Sequence, residues 1–128
     1  MNKLDCYKAS MVIFSLSALS LSLYAGEADV LKVNAECDQQ RSCRFSVTVS
    51  HSDEGWDHYA NRWEVLTESG DILATRVLHH PHVNEQPFTR SLGQVKIPEP
   101  LDHVVVRAHD STHAYGGETT FVELSFKQ

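Results

Sequence analysis

Beyond residue 25 the sequence contains no methionine, since Met1 and Met11 both fall in the first 25 residues. That excludes a Cu(I) site built on thioethers, the soft donors such an ion selects. Cysteine is scarce as well. Of three, Cys6 lies in the same N-terminal stretch, and Cys37 and Cys43 alone are too few for a cysteine-rich zinc site. No apolar run reaches the ~20 residues that a membrane-spanning helix needs. There is no HExxH string and no paired-carboxylate pattern, so hydrolytic chemistry has no signature here and the chain reads as a binding protein more than as an enzyme. Repeats, low-complexity segments and windows for a long amphipathic helix are missing too. Positive charge is in short supply: 11 Lys and Arg stand against 17 Asp and Glu, a formal charge of −6. An acidic surface argues against nucleic acid or an anionic membrane as partner, and suits cations or basic proteins.

What is present begins with an export pattern. Lys3 and Lys8 precede a charge-free stretch over residues 10–23, and Leu23-Tyr24-Ala25 offers a small residue for cleavage before Gly26. This is the order of a secretory signal. Residues 1–25 are therefore expected to be a cleaved signal peptide and residues 26–128 a single domain, periplasmic or secreted, with no stable membrane insertion after cleavage. Cys6 lies ahead of the apolar run, whereas a lipidated cysteine would follow it. The leader carries Lys3, Lys8 and Asp5, one net positive charge, so its removal takes the formal charge from −6 to −7. In an oxidising compartment the remaining Cys37 and Cys43 are expected to form a disulfide.

The rest of the chain is a series of short alternating runs. The clearest covers residues 44–50, where Cys43, Phe45, Val47 and Val49 share one face and Arg44, Ser46, Thr48 and Ser50 the other. Such alternation marks a strand with one face buried. A less regular run covers 30–37, and the polar stretch 38–42 between the two reads as a hairpin loop that Cys37 and Cys43 flank. Because the bond closes a short loop, its stabilisation should lie low in the ~2–4 kcal/mol range. Further runs cover 62–67, 72–78, 88–97 (broken near Gly93), 102–109 and 119–126. Turn signals lie between them at Glu68-Ser69-Gly70-Asp71, Pro98-Glu99-Pro100 and Gly116-Gly117. About seven short strands at this spacing predict an all-β, antiparallel sandwich of immunoglobulin or fibronectin III type. An eight-stranded barrel is the alternative.

Strand counting turns the histidines into a positional statement. Successive strands run up and down, so the loops over residues 50–61, 79–87 and 110–118 share one pole. They and the adjoining strand end hold seven of the eight histidines, with His103 at the other pole. Asp53, Glu54, Asp57, Glu85, Asp110 and Glu118 join them. Imidazoles beside carboxylates on loops held by a rigid scaffold suit Cu2+ or Zn2+. The candidate ligands are His51, His58, His80, His82, His109 and His113. The favoured set around one ion is His51, His80 or His82, and His109 or His113. His79 and His103 are the weakest candidates. Trp56, Tyr59 and Tyr115 lie at the same pole, and they are the anchors expected if the loops instead grip a periplasmic protein or a glycan without metal. Glu85, Arg76, Arg90 and Arg107 are expected to form ion pairs on a sheet face.

Three strings carry a resemblance: Trp56-Asp57-His58-Tyr59-Ala60-Asn61-Arg62-Trp63-Glu64-Val65, the segment from His80-Pro81-His82-Val83-Asn84-Glu85-Gln86-Pro87 through Phe88-Thr89-Arg90-Ser91-Leu92, and Val106-Arg107-Ala108-His109-Asp110. Through them nearly the whole mature chain resembles an uncharacterised family of small exported proteobacterial proteins. The resemblance implies export and supplies no activity and no ligand set.

Overall fold

Alternation of apolar and polar side chains lays out seven strands in the computed structural model, which describes residues 26–127. The expected signal peptide and its cleavage point lie outside the described residues. The strands are β1 (Asp29–Cys37), β2 (Ser42–Ser50), β3 (Ala60–Leu66), β4 (Ile72–Val77), β5 (Phe88–Lys96), β6 (His103–Asp110) and β7 (Thr120–Glu123). They form two antiparallel sheets, one ordered β1-β2-β5 and the other β4-β3-β6-β7. The sheets stay separate and face each other across one core, so the protein is a β-sandwich and the barrel alternative falls. Among the described residues no helix is long and apolar enough to cross a membrane.

The inward faces interlock as the pleat dictates. Phe45, Val47 and Val49 of β2 meet Trp63 and Val65 of β3 and Val104, Val106 and Ala108 of β6, all buried. Each of the buried valines and Phe45 contributes about 1.5–3 kcal/mol by leaving water. Outward residues of β2 pair with β5 instead, Ser46 Oγ with Ser91 Oγ and Thr48 Oγ1 with Thr89 Oγ1, both at 2.8 Å.

Two irregularities have local causes. The imperfect alternation of the first run is a bulge: the register slips between Val30 and Lys32, so Leu31 is exposed while Val30 on one side and Val33 and Ala35 on the other face the core. The run expected to break near Gly93 continues through it. Phe45 opposes Leu92 and Cys43 opposes Val95, so Gly93 and Gln94 together face Arg44, and Gln94 takes a positive φ of 58°. An extra residue on one strand is a β-bulge, which bends a strand without ending it.

The pole away from the histidine loops is closed by few groups. Cys37 lies directly opposite Cys43 in the hairpin and is bonded to it. Cys37 also bridges to Phe126. The Arg41 guanidinium lies 3.9 Å over the Phe126 ring and donates to the carbonyls of Ile97, Pro98 and Leu101.

Parity along the strands sets a direct comparison. Phe45→Ala should cost about 3–5 kcal/mol of folding free energy. Phe121→Ala, on the outward face of β7, should stay within about 1 kcal/mol. Urea unfolding of the two variants reads both, and equal losses would contradict the packing described.

Candidate metal centre

His51 is the next inward residue after Phe45, Val47 and Val49, so the pleat carries it into the sandwich just past the end of β2. Its side chain is fully buried. Asp53 follows in the same loop and ties three segments together. Its Oδ1 meets His51 Nδ1 at 2.5 Å and accepts the Ala60 N–H at 3.0 Å, and its Oδ2 accepts the His82 N–H at 2.6 Å. Both Asp53 oxygens thus serve as acceptors, and the His51 ring is fixed by one of them.

Asp110 arrives by the same rule from the other sheet. It extends the inward row Val104, Val106, Ala108 of β6 and is fully buried. Beyond it the chain reverses tightly, with reciprocal backbone hydrogen bonds between Asp110 and Ala114. The turn places the N–H groups of Thr112 and His113 on Asp110 Oδ1, at 2.7 and 2.5 Å. Burial pushes the Asp110 carboxyl up, but these two N–H groups and the facing His51 and His113 rings outweigh it and hold the group below its ordinary range. The same turn brings His113 back over the carboxylate.

Three imidazoles converge on this carboxylate. His51 Nε2 lies 3.5 Å and His113 Nδ1 3.3 Å from Asp110 Oδ2, and His58 Nε2 lies 3.7 Å from Oδ1. The rings meet edge to face, His51 with His58 at 4.8 Å and His58 with His113 at 4.9 Å between centroids. One ligand atom each from His51, His58 and Asp110 lies within 4.8 Å of the others, close enough to hold one metal ion. Donors bound at ~2.0–2.1 Å to a tetrahedral ion sit ~3.4 Å apart, so the 3.5 and 3.7 Å contacts to Asp110 are near that spacing and the widest pair would close further around an ion. The Gly26 carbonyl oxygen lies in the same cluster, 2.8 Å from His51 Nε2, 3.2 Å from His58 Nε2 and 2.8 Å from His113 Nδ1.

The other candidate histidines stand elsewhere on the pole. His80 and His82 pair at 4.6 Å, and His82 stacks on Phe88 at 3.9 Å. His82 is buried, and neither of its ring nitrogens has a hydrogen-bond partner. Burial first, then the nearby Arg90 and His80, push its pKa down. Asp53 lies between this pair and His51, with its Oδ2 3.9 Å from His82 Nδ1. His109 precedes Asp110 on one strand and so points to the opposite face of the sheet. There its Nδ1 meets Asn61 Oδ1 at 2.6 Å and its ring abuts Tyr115. His79 is exposed. His103, at the far pole, is held between Asp102 and Glu68, which raise its pKa.

The aromatic candidates differ among themselves. Trp56 is 67% exposed, with Tyr59 edge-on beside it. The Tyr115 hydroxyl is committed: it donates to Glu64 Oε1 at 2.6 Å and accepts from Arg62 Nη2 at 2.9 Å. Glu64 also binds Arg62 and Arg107, whose guanidinium lies 3.7 Å over the Tyr115 ring. Arg107 and Arg90 form ion pairs, with Glu64 and Glu85 respectively, whereas Arg76 donates to the Ser91 and Val77 carbonyls.

Sequence reasoning placed Asp53 and Asp110 at the pole among six acids that could ligate a metal or orient the rings, without singling out either. For Asp110 the signal was available, because an acid that continues the inward row Val104, Val106, Ala108 has to be buried. Gly26 and Glu64 carried no such mark. The approach of Gly26 is set by tertiary packing, and Glu64 lies on an outward face that happens to be covered.

A protein of the archaeon Halomicrobium mukohataei named "Putative lipoprotein" is 45% identical over 97 residues, 76% of this chain. The chain spans 47% of that relative's length, about half. No family model and no solved structure matches the chain.

Asp53→Ala leaves two backbone N–H groups and a buried imidazole without their acceptor, and should cost about 2–4 kcal/mol. Asp57→Ala, exposed in the same loop, should stay within about 0.5 kcal/mol. Denaturant unfolding compares them. Glu64 gives a pH test. Burial pushes its carboxyl up, but Tyr115, Arg62 and Arg107 more than offset this and hold it below its ordinary value. Its contribution is then complete above the unfolded-state value and is lost as pH falls through the lower folded-state value. The stability gap between the native protein and Glu64→Gln should therefore shrink on acidification. A gap that widens would reverse the assignment.

Proposed function

We propose that this chain is an exported domain that binds one Cu2+ or Zn2+ ion at the imidazole pole, with His51, His58 and Asp110 as ligands and His113 closing the set. The observation that carries the reading is at His51. A neutral imidazole has one N–H, yet both nitrogens of this buried ring face oxygens, Nδ1 toward Asp53 at 2.5 Å and Nε2 toward Gly26 and Asp110 at 2.8 and 3.5 Å. If the ring donates to Asp53, its second nitrogen presents a lone pair to two oxygens. A cation bound there relieves the conflict and gathers all of these donors. Asp53 then plays the part of the carboxylate that orients a ligating imidazole and raises its basicity. Glu54 stands 3.6 Å from His58 Nδ1 in the same relation. His80, His82 and His109 fall outside this coordination set. The reading is of metal handling or buffering rather than catalysis.

Export is supported by the leader-like order of residues 1–25 and by the relative's name. Here Cys6 precedes the apolar run, so the reading is of a cleaved leader and a periplasmic or secreted domain. In the same reading the sandwich is of fibronectin III type. β4 pairs with β3 rather than with β5, which departs from the constant-type immunoglobulin order.

A second reading rests on Trp56, whose 67% exposure beside Tyr59 suits a metal-free module that grips a protein or glycan. Calorimetric titration with Cu2+ and Zn2+ separates the two. Binding tighter than ~10 μM is expected. Asp53→Asn should weaken it by about 10–100-fold, His51→Ala and His58→Ala by more, and His103→Ala by less than about threefold. A chain that binds neither ion, yet loses partner capture on Trp56→Ala and Tyr59→Ala, belongs to the second reading.

A further inference from the structure

The cluster of imidazoles is centred on a main-chain atom. The Gly26 carbonyl oxygen has three ring nitrogens at 2.8, 3.2 and 2.8 Å, from His51, His58 and His113. A carbonyl has two lone pairs, so at most two of these nitrogens can donate to it as ordinary hydrogen bonds and at least one faces it without one. Donors on one ion at ~2.1 Å lie ~3.0–3.4 Å from their neighbours in the shell. The oxygen therefore already stands at about the spacing of one ligand from three others.

It is also held there. Gly26 is buried and takes a φ of 150°, and a Cβ at this position would run into the His113 ring. Ala28 is in the core. Val30 N donates to Glu118 O at 2.8 Å, and Glu118 N to Asp29 Oδ1 at 2.7 Å. Gly117 packs so closely on the Ala28 carbonyl that no side chain fits between them. Residues 26–30 thus form a strap fastened to the loop that carries His113.

We infer that the Gly26 carbonyl oxygen is itself a ligand of the transition metal ion, so that the strap is a wall of the site and not a passive lead into β1. The inference rests on the metal reading above. A neutral oxygen donor completes a set of three imidazoles and one carboxylate, a mixture of nitrogen and oxygen donors that suits Cu2+ and Zn2+. Binding then couples the strap to the β2–β3 and β6–β7 loops through one ion.

Carbonyl NMR tests this on the chain as exported, labelled with 13C-carbonyl glycine and 15N-glutamate and titrated with Zn2+ alone. Two Gly–Glu peptides report, Gly26–Glu27 and Gly117–Glu118, so the second is an internal control. The expected result is a Gly26 carbonyl shift that saturates at one Zn2+ per chain together with the histidine ring signals, while Gly117 moves far less. Ring signals that saturate without a Gly26 response overturn this inference and leave the metal reading intact. Ring signals that never respond to Zn2+ overturn both. Gly26→Ala gives a second reading. Its Zn2+ affinity should fall at least about tenfold, with metal-free folding checked by thermal unfolding. Unchanged affinity overturns the inference.

Discussion

The Asp53 carboxyl group is the tie on which the histidine pole depends. Loops at the end of a sandwich have no ladder to hold them, and each brings backbone groups that need partners. One buried side chain accepts from two such backbone groups, at the start of β3 and in the β4–β5 loop, and also meets the His51 ring of its own β2–β3 loop. Burying such a group unpaired is costly, so the same residue that orders the loops also forces them to surround it. The His51 ring is oriented as a by-product, and everything assembled at the site is measured from that ring.

Two acids divide the four-stranded sheet between them. Asp110 faces the core side and meets imidazoles, whereas Glu64 faces outward and meets two arginines and a tyrosine. Guanidinium groups are permanent cations and fix Glu64 in a closed network. Imidazoles carry lone pairs as well as protons and leave Asp110 able to share a cation with them. The alternation of two paired strands, β3 carrying Glu64 and β6 carrying Asp110, thus separates a structural carboxylate network from a chemically open one. His109 and Tyr115, which sit beside the first, are drawn away from the second.

Much of this was legible in the residues. The alternation of Cys43, Phe45, Val47 and Val49 gave β2 and, by extension, the inward position of His51. Counting strands placed the three loops at one pole. The disulfide followed from cysteines flanking a hairpin. What stayed hidden shares one physical character: it depends on where backbone goes rather than on side-chain pattern. The slip at Leu31 showed only as imperfect alternation. The Gly26 approach and the turn that folds His113 over Asp110 are set by loops whose conformations have no period to read. The six candidate ligands were equivalent as residue types; strand parity turns His109 outward, and the turn after β6 brings His113 back over Asp110.

The strap and the far-pole bridge give the domain a polarity of attachment. Gly26 enters at the imidazole cluster, while Phe126 bridges to Cys37 at the disulfide end. The nine residues of β2 that separate these ends span ~30 Å at strand rise. A tether ahead of residue 26 would therefore draw the imidazole pole toward whatever surface holds it, and a segment joined beyond residue 126 would project from the opposite end. In this geometry the place of anchoring governs which end of the sandwich faces the bulk, and so how open the histidine pole is to solvent.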